Sequence, residues 1–159
     1  METTNKTYDI ELDLSPIRKK VIRIDNDDNR ILRLNTSDMN LVTRMNDVYP
    51  KLKSLAEEAA QDTPNTDNVE DDIAKMAEHL TSIDTQMRTL MDELFDEKVS
   101  EVCAPSGNMY DIIGGGFRYE FIMEALLNLY SDNIEKETKK IQKRIAGHAD
   151  KYTKNGRRK

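Results

Sequence analysis

Residues 69–103 read VEDDIAKMAEHLTSIDTQMRTLMDELFDEKVSEVC. The apolar residues Ile73, Met76, Leu80, Ile83, Met87, Leu90 and Leu94 are separated by gaps that alternate three and four. That is a heptad seam carried through about three repeats. No Gly or Pro interrupts the stretch before Pro105, so it predicts one helix of about 34 residues, about 50 Å long at 1.5 Å rise per residue. Such a helix outruns a small domain, and its seam needs partners along most of its length. Glu70, Asp71 and Asp72 fall in its first turn, where negative charge complements the helix dipole.

Working outward, the segment before it supplies a first partner. Thr36-Ser37-Asp38 are N-cap residue types ahead of a periodic run that includes Leu41, Met45, Val48, Leu52 and Ala56. The run predicts a helix to about Gln61, with Pro50 either kinking it or opening a second helix. Residues 62–68 have linker composition. At the other end, Phe121, Ile122, Ala125, Leu126, Leu129 and Tyr130 form the packing stripe of a last helix that starts near residues 116–118. Past Ile134 the stripe thins to Ile141 and Ile145 among charged residues, which predicts a protruding end or pairing with an acidic surface.

The N-terminal third reads as β-structure. Tyr8, Ile10, Leu12 and Leu14 alternate with polar residues, as in a half-buried strand. Residues 21–24 and 30–34 form two further apolar runs around the polar turn of residues 25–29. The expected fold class is α+β, mainly α. A small N-terminal antiparallel β-meander or hairpin precedes three to four helices, one of them long and central. The expected organisation is a meander over residues 1–36 packed on the helices of residues 37–152 as one compact unit. A disordered basic tail is expected over residues 153–159.

Composition narrows the function classes. The chain has 159 residues, 34% of them charged and no Trp, so its core is modest and association would help stabilise it. The net charge of −6 is uneven: residues 134–159 hold ten Lys or Arg against three acids, +7, and the preceding residues carry −13. An acidic body with a basic end suits head-to-tail association of copies, and a homo-oligomer is expected. The one cysteine, Cys103, allows no intrachain disulfide. The N-terminus has no apolar leader, and the densest apolar stretch is too short to span a bilayer, so no membrane partner is expected.

No motif points to catalysis. His79 lies beside the seam and His148 in the basic end, neither with a nucleophile at a motif-like spacing. Cys103, at a helix C-terminus, sits where the dipole disfavours a thiolate. The acids Asp25, Asp27 and Asp28 echo an EF-hand opening, but Arg30 and Thr36 replace the required Gly and Glu, leaving a solvated turn. Gly114-Gly115-Gly116 lacks the Lys-Ser/Thr of a phosphate loop. It reads instead as a tight connection that tucks Ile112, Ile113 and Phe117 against the helices. No catalytic, metal or cofactor residue is expected. The candidate partner-binding residues are Met76, Met87, Met91, Phe95, Ile113 and Phe117, because methionine-bearing helical surfaces adapt to varied partners. Lys139, Lys140, Lys143 and Arg144 are the candidate electrostatic contacts. The acidic body argues against nucleic acid as their target.

With that order laid out, the chain resembles the tail assembly chaperones of long-tailed phages and prophages of Gram-positive hosts. The similarity rests on the strand pattern Tyr8-Asp-Ile-Glu-Leu-Asp-Leu14, a helix of the type Leu41-Val-Thr-Arg-Met45, and the acidic stretch of residues 92–103. A segment like Phe117-Arg-Tyr-Glu-Phe-Ile-Met-Glu-Ala-Leu126 before a lysine-rich end completes it. The Gly run, the linker of residues 62–68 and the pronounced basic tail depart from the pattern. The resemblance implies a non-enzymatic role: binding the tape measure protein during tail morphogenesis, in the host cell cytoplasm, without remaining in the mature virion. The alternative is a small phage-encoded inhibitor whose acidic surface mimics nucleic acid to bind a host protein.

Overall fold

A computed structural model describes residues 7–14, 19–61 and 69–156. Its fold is α+β and mainly helical, as expected. β1 (Lys20–Ile24) and β2 (Asp27–Leu34) form an antiparallel hairpin, followed by α1 (Leu41–Gln61), α2 (Val69–Phe95) and the short α3 (Val99–Cys103). A miniature hairpin, β3 (Ile112–Ile113) and β4 (Gly116–Phe117), leads directly into α4 (Arg118–Gly156). Both hairpins turn on two residues with positive φ: Asp25 and Asn26 at 52° and 57°, Gly114 and Gly115 at 59° and 86°. That is the turn geometry whose twist matches antiparallel strands. It explains why Asp-Asn and Gly-Gly stand there.

The core is assembled from one face of each element. β2 contributes Leu32 and Leu34, α1 contributes Leu41, Val48, Leu52 and Ala56, and α2 contributes Ile83, Met87, Met91, Leu94 and Phe95. α4 closes it with Tyr119, Met123, Leu126 and Tyr130, the last in ring contact with Phe95 at 6.0 Å. The α2 seam is therefore satisfied within the chain toward its C-terminal end. Toward its N-terminus the cover runs out: Met76 and Leu80 are half-buried and Ile73 is exposed.

Four expectations need correction. Residues 7–14 form no strand, and Tyr8, Ile10 and Leu12 are more than three-quarters exposed, so the β-structure is a hairpin rather than a meander. The central helix stops at Phe95, giving 27 residues instead of about 34. Asp96 adopts a left-handed φ of 50°, and the Glu97 N–H donates back to the Asp92 carbonyl at 3.2 Å, a Schellman closure made without glycine. The longest helix is α4, at 39 residues, and it carries Thr153–Gly156 that were expected in a disordered tail. Ile112 and Ile113 are exposed rather than tucked under the Gly run. The expected tail residues 157–159 and linker residues 62–68 lie outside the described residues. α1 runs on through Pro50, so of the two alternatives Pro50 does not open a second helix.

Arginines bind the elements by reaching helix-end carbonyls. Arg44 donates Nε–H to the Leu94 carbonyl at 2.9 Å, and Arg30 donates to the carbonyls of Val102 and Cys103 at 2.8 and 3.2 Å. These are the acceptors a helix C-terminus leaves open. Arg88 does most. Its Nε pairs with Asp84 at 2.7 Å, while its two terminal nitrogens donate to the carbonyls of Ser100, Ala104 and Gly107 at 3.1, 3.0 and 2.7 Å. The other Asp84 oxygen accepts the Met109 N–H at 2.7 Å. Residues 104–109 are thereby fastened to α2, and they in turn start α4. The Tyr119 N–H donates to the Met109 carbonyl at 3.0 Å and the Arg118 N–H to the Asp111 carbonyl at 2.8 Å. Gly107 is obligatory at the join: its φ is 84°, and a Cβ there would lie 2.7 Å from an Arg118 nitrogen.

Two substitutions test this account by urea denaturation. Arg88→Ala lowers stability by about 2–3 kcal/mol, because three carbonyls and a carboxylate lose a charged donor together. Asp96→Gly raises stability by about 1 kcal/mol, because glycine occupies the left-handed helix-end position without a Cβ penalty.

Candidate interaction surface

The face of α4 that packs the core does not end where the core ends. Tyr119, Met123, Leu126 and Tyr130 are buried, and Ile134, four residues further on, is half-buried. Ile141 and Ile145 continue the same stripe at 51% and 64% exposure. Among the described residues the last side-chain tether to the body is that of Asn133, whose amide donates to the Thr36 carbonyl at 3.3 Å and the Ser37 hydroxyl at 3.1 Å. From Glu135 to His148 every side chain is exposed. α4 runs 22 residues past Ile134, to Gly156, a span of about 33 Å. Lys139, Lys140, Lys143 and Arg144 lie on this free part, two of them in exposed pairs: Lys139 with Glu135 at 3.0 Å and Lys140 with Glu137 at 3.1 Å. Exposed pairs of this kind stabilise a helix by tenths of a kcal/mol and exchange partners readily.

A second feature is an open groove of 630 Å³ between α1 and α2, lined by Pro50, Lys51, Leu55, Thr85, Thr89 and Leu90 among others. The α2 wall carries Thr85 and Thr89, which, like Thr81 one turn before the groove, donate the hydroxyl to the carbonyl four residues earlier, at 3.0, 3.0 and 2.7 Å. Their polar groups are consumed inside the helix. The sequence held this signal in the i, i+4 spacing of the three threonines, which the apolar seam overshadowed.

The expected partner-binding set is dispersed. Met87, Met91 and Phe95 are buried, because that end of the seam lies in the one core cluster shared with α1, β2 and α4. Met76 is half-buried, Phe117 is half-buried beside Tyr119 with ring centroids 6.0 Å apart, and Ile113 is exposed at the miniature hairpin. Met87, Met91, Met109 and Met123 fill the core, whereas Met39 is 66% exposed.

Reactive groups are held quiet. Among the described residues no group of three or more His, Cys, Asp or Glu is placed to hold a metal ion. The turn carboxylates are each engaged: Asp25 with Arg30, Asp28 with Arg23, and Asp27 with the Asn29 N–H. His79 bridges to Glu58 at 2.7 Å and so links α2 to α1. Arg44 holds the Asp38 carboxyl below its ordinary range through a hydrogen bond of 2.7 Å. Burial pushes the Cys103 thiol up to about 11, outweighing the nearby Arg30. Burial likewise pushes the Tyr119 phenol up to about 12. No described helix is long and apolar enough to cross a membrane. Comparison of the chain with protein-family models, curated proteins and solved structures finds no match.

Cys103 offers a direct check. At pH 8 a thiol of pKa about 11 holds about a hundredfold less thiolate than one at the ordinary value of 9.0. Ellman's reagent therefore modifies native Cys103 about a hundredfold more slowly than the same residue in urea.

Proposed function

We propose that the chain is a non-enzymatic tail assembly chaperone that binds the tape measure protein of a long-tailed phage or prophage in the host cell cytoplasm. One observation carries the reading: the apolar stripe of α4 continues past the body with Ile141 and Ile145 exposed, edged by basic residues. An exposed helical stripe with isoleucines four apart takes another amphipathic helix along its length, and the flanking Lys and Arg favour one with acidic edges. A tape measure protein, long and helical, supplies such segments in series. The α1–α2 groove, with its methyl-lined wall, offers a second apolar place for the same kind of ligand. The resemblance of residues 8–14, 41–45, 92–103 and 117–126 to the tail chaperone pattern supplies the identity of the partner. Many copies on one partner would follow from the repetitive nature of the ligand, with the acidic body of one copy beside the basic end of the next.

Co-expression of the full chain with tape measure fragments, followed by pull-down, tests the reading. Ile141→Asp with Ile145→Asp abolishes capture while leaving thermal stability unchanged, because both side chains are already exposed. A chain that captures and solubilises no tape measure fragment refutes the proposal.

A further inference from the structure

Two apolar surfaces are left exposed, and their edges are opposite in charge. The first is the free part of α4. Ile141 and Ile145 are exposed on one face, and Lys140 and Arg144, likewise four apart, edge it on one side. The second is the α1–α2 groove. Pro50, Ser54, Thr85, Gln86 and Thr89 along it are exposed, with Leu55 and Leu90 half-buried between them.

The groove runs on into acidic surface. Thr89 also lines a neighbouring depression whose other residues are Asp92, Glu93, Asp96, Glu97 and Lys98. Four carboxylates there meet one ammonium. Asp92 and Glu97 are occupied by the N–H groups of Ser100 and of Arg33 and Lys98. Glu93 and Asp96 make no side-chain hydrogen bond or ion pair among the described residues. Glu93 lies one turn after Thr89 on the same face of α2. On the α1 wall the groove's cation is Lys51.

We infer that the free end of α4 from a second copy of this chain lies in the α1–α2 groove, with its cationic edge toward Glu93 and Asp96. Size agrees: two isoleucines four apart span about 6 Å along a helix, as do Thr85 and Thr89. Charge agrees: residues 134–159 carry +7 and the preceding residues −13. The chain cannot supply this occupant to its own groove. α4 is one helix from Arg118 to Gly156, and residues 135–146 contain neither Gly nor Pro to turn it back. Every side chain from Glu135 to His148 is exposed, so that end rests on no part of its own body. The contact joins two different surfaces, so each bound copy still offers a stripe or a groove to the next. In the free protein, copies cover one another's apolar surface. An acidic-edged client helix competes for the same stripe, a step that rests on the proposed function.

Light scattering on the full chain at rising concentration gives a mass that climbs past the monomer and falls back in about 1 M NaCl. Thr89→Lys blocks the groove and Ile145→Asp blocks the stripe, and each raises the dissociation constant about tenfold or more. Mixed, the two variants pair one to one, because the first keeps its stripe and the second its groove. Circular dichroism shows both folded, since both positions are exposed. A wild-type chain that stays monomeric, self-association indifferent to either substitution, or a mixture that fails to pair overturns the inference. The measurement needs no client. A monomer that captures tape measure fragments overturns copy-to-copy docking and leaves the proposed function standing; an oligomer that captures none does the reverse.

Discussion

The pair Asp84–Arg88 is the constraint on which the remainder of the structure depends. It lies near the middle of α2, one turn apart, with both side chains mostly covered. A partly buried ion pair contributes little stability by itself, because desolvation offsets attraction. Its effect comes from the remaining hydrogen-bonding capacity. Arg88 spends its other donors on three backbone carbonyls, and Asp84 spends its second oxygen on one N–H. Residues 104–109 contain Pro105 and Gly107 and have no regular structure to order them. Without those bonds they would have no reason to place Met109 in the core or to present carbonyls to the first turn of α4. The placement of the longest helix is therefore decided by two side chains on another one.

Much of the architecture was legible in the sequence because it rests on periodicity. The spacing of Leu41, Val48, Leu52 and Ala56 marks α1, and those residues are buried. The runs around residues 25–29 mark the hairpin, although the turn is tighter than its polar composition suggests and β2 begins at Asp27. What escaped was set by features that periodicity does not encode. An aspartate in the left-handed region ends α2, and Asp96 looks no different from the helical acids before it. A strand pattern at residues 7–14 expresses compatibility with an edge, not possession of one. The seam residues Met87, Met91 and Phe95 read as a surface only until the number of elements competing to cover them is known.

The candidate surface was legible in part. The thinning after Ile134 pointed to a protruding basic end, and α4 does leave the body there. The groove was not anticipated, since its walls combine a proline that breaks helices in isolation with threonines that look polar on paper. Each has a reason visible only in three dimensions. α1 absorbs Pro50, and the helix carbonyls absorb the three hydroxyls.

The length of α4 beyond Asn133 makes it a lever. Its fulcrum is narrow: one amide bonded to the start of the segment before α1, and the ring contact of Tyr130 with Phe95 one turn earlier. A tilt of about 10° there carries the far end, about 33 Å away, through about 6 Å. Ile141 and Ile145, about 10 and 16 Å from the fulcrum, move sideways by about 2 and 3 Å in the same tilt. Small adjustments at the fulcrum thus let one rigid rod follow a partner whose path alongside it is not straight.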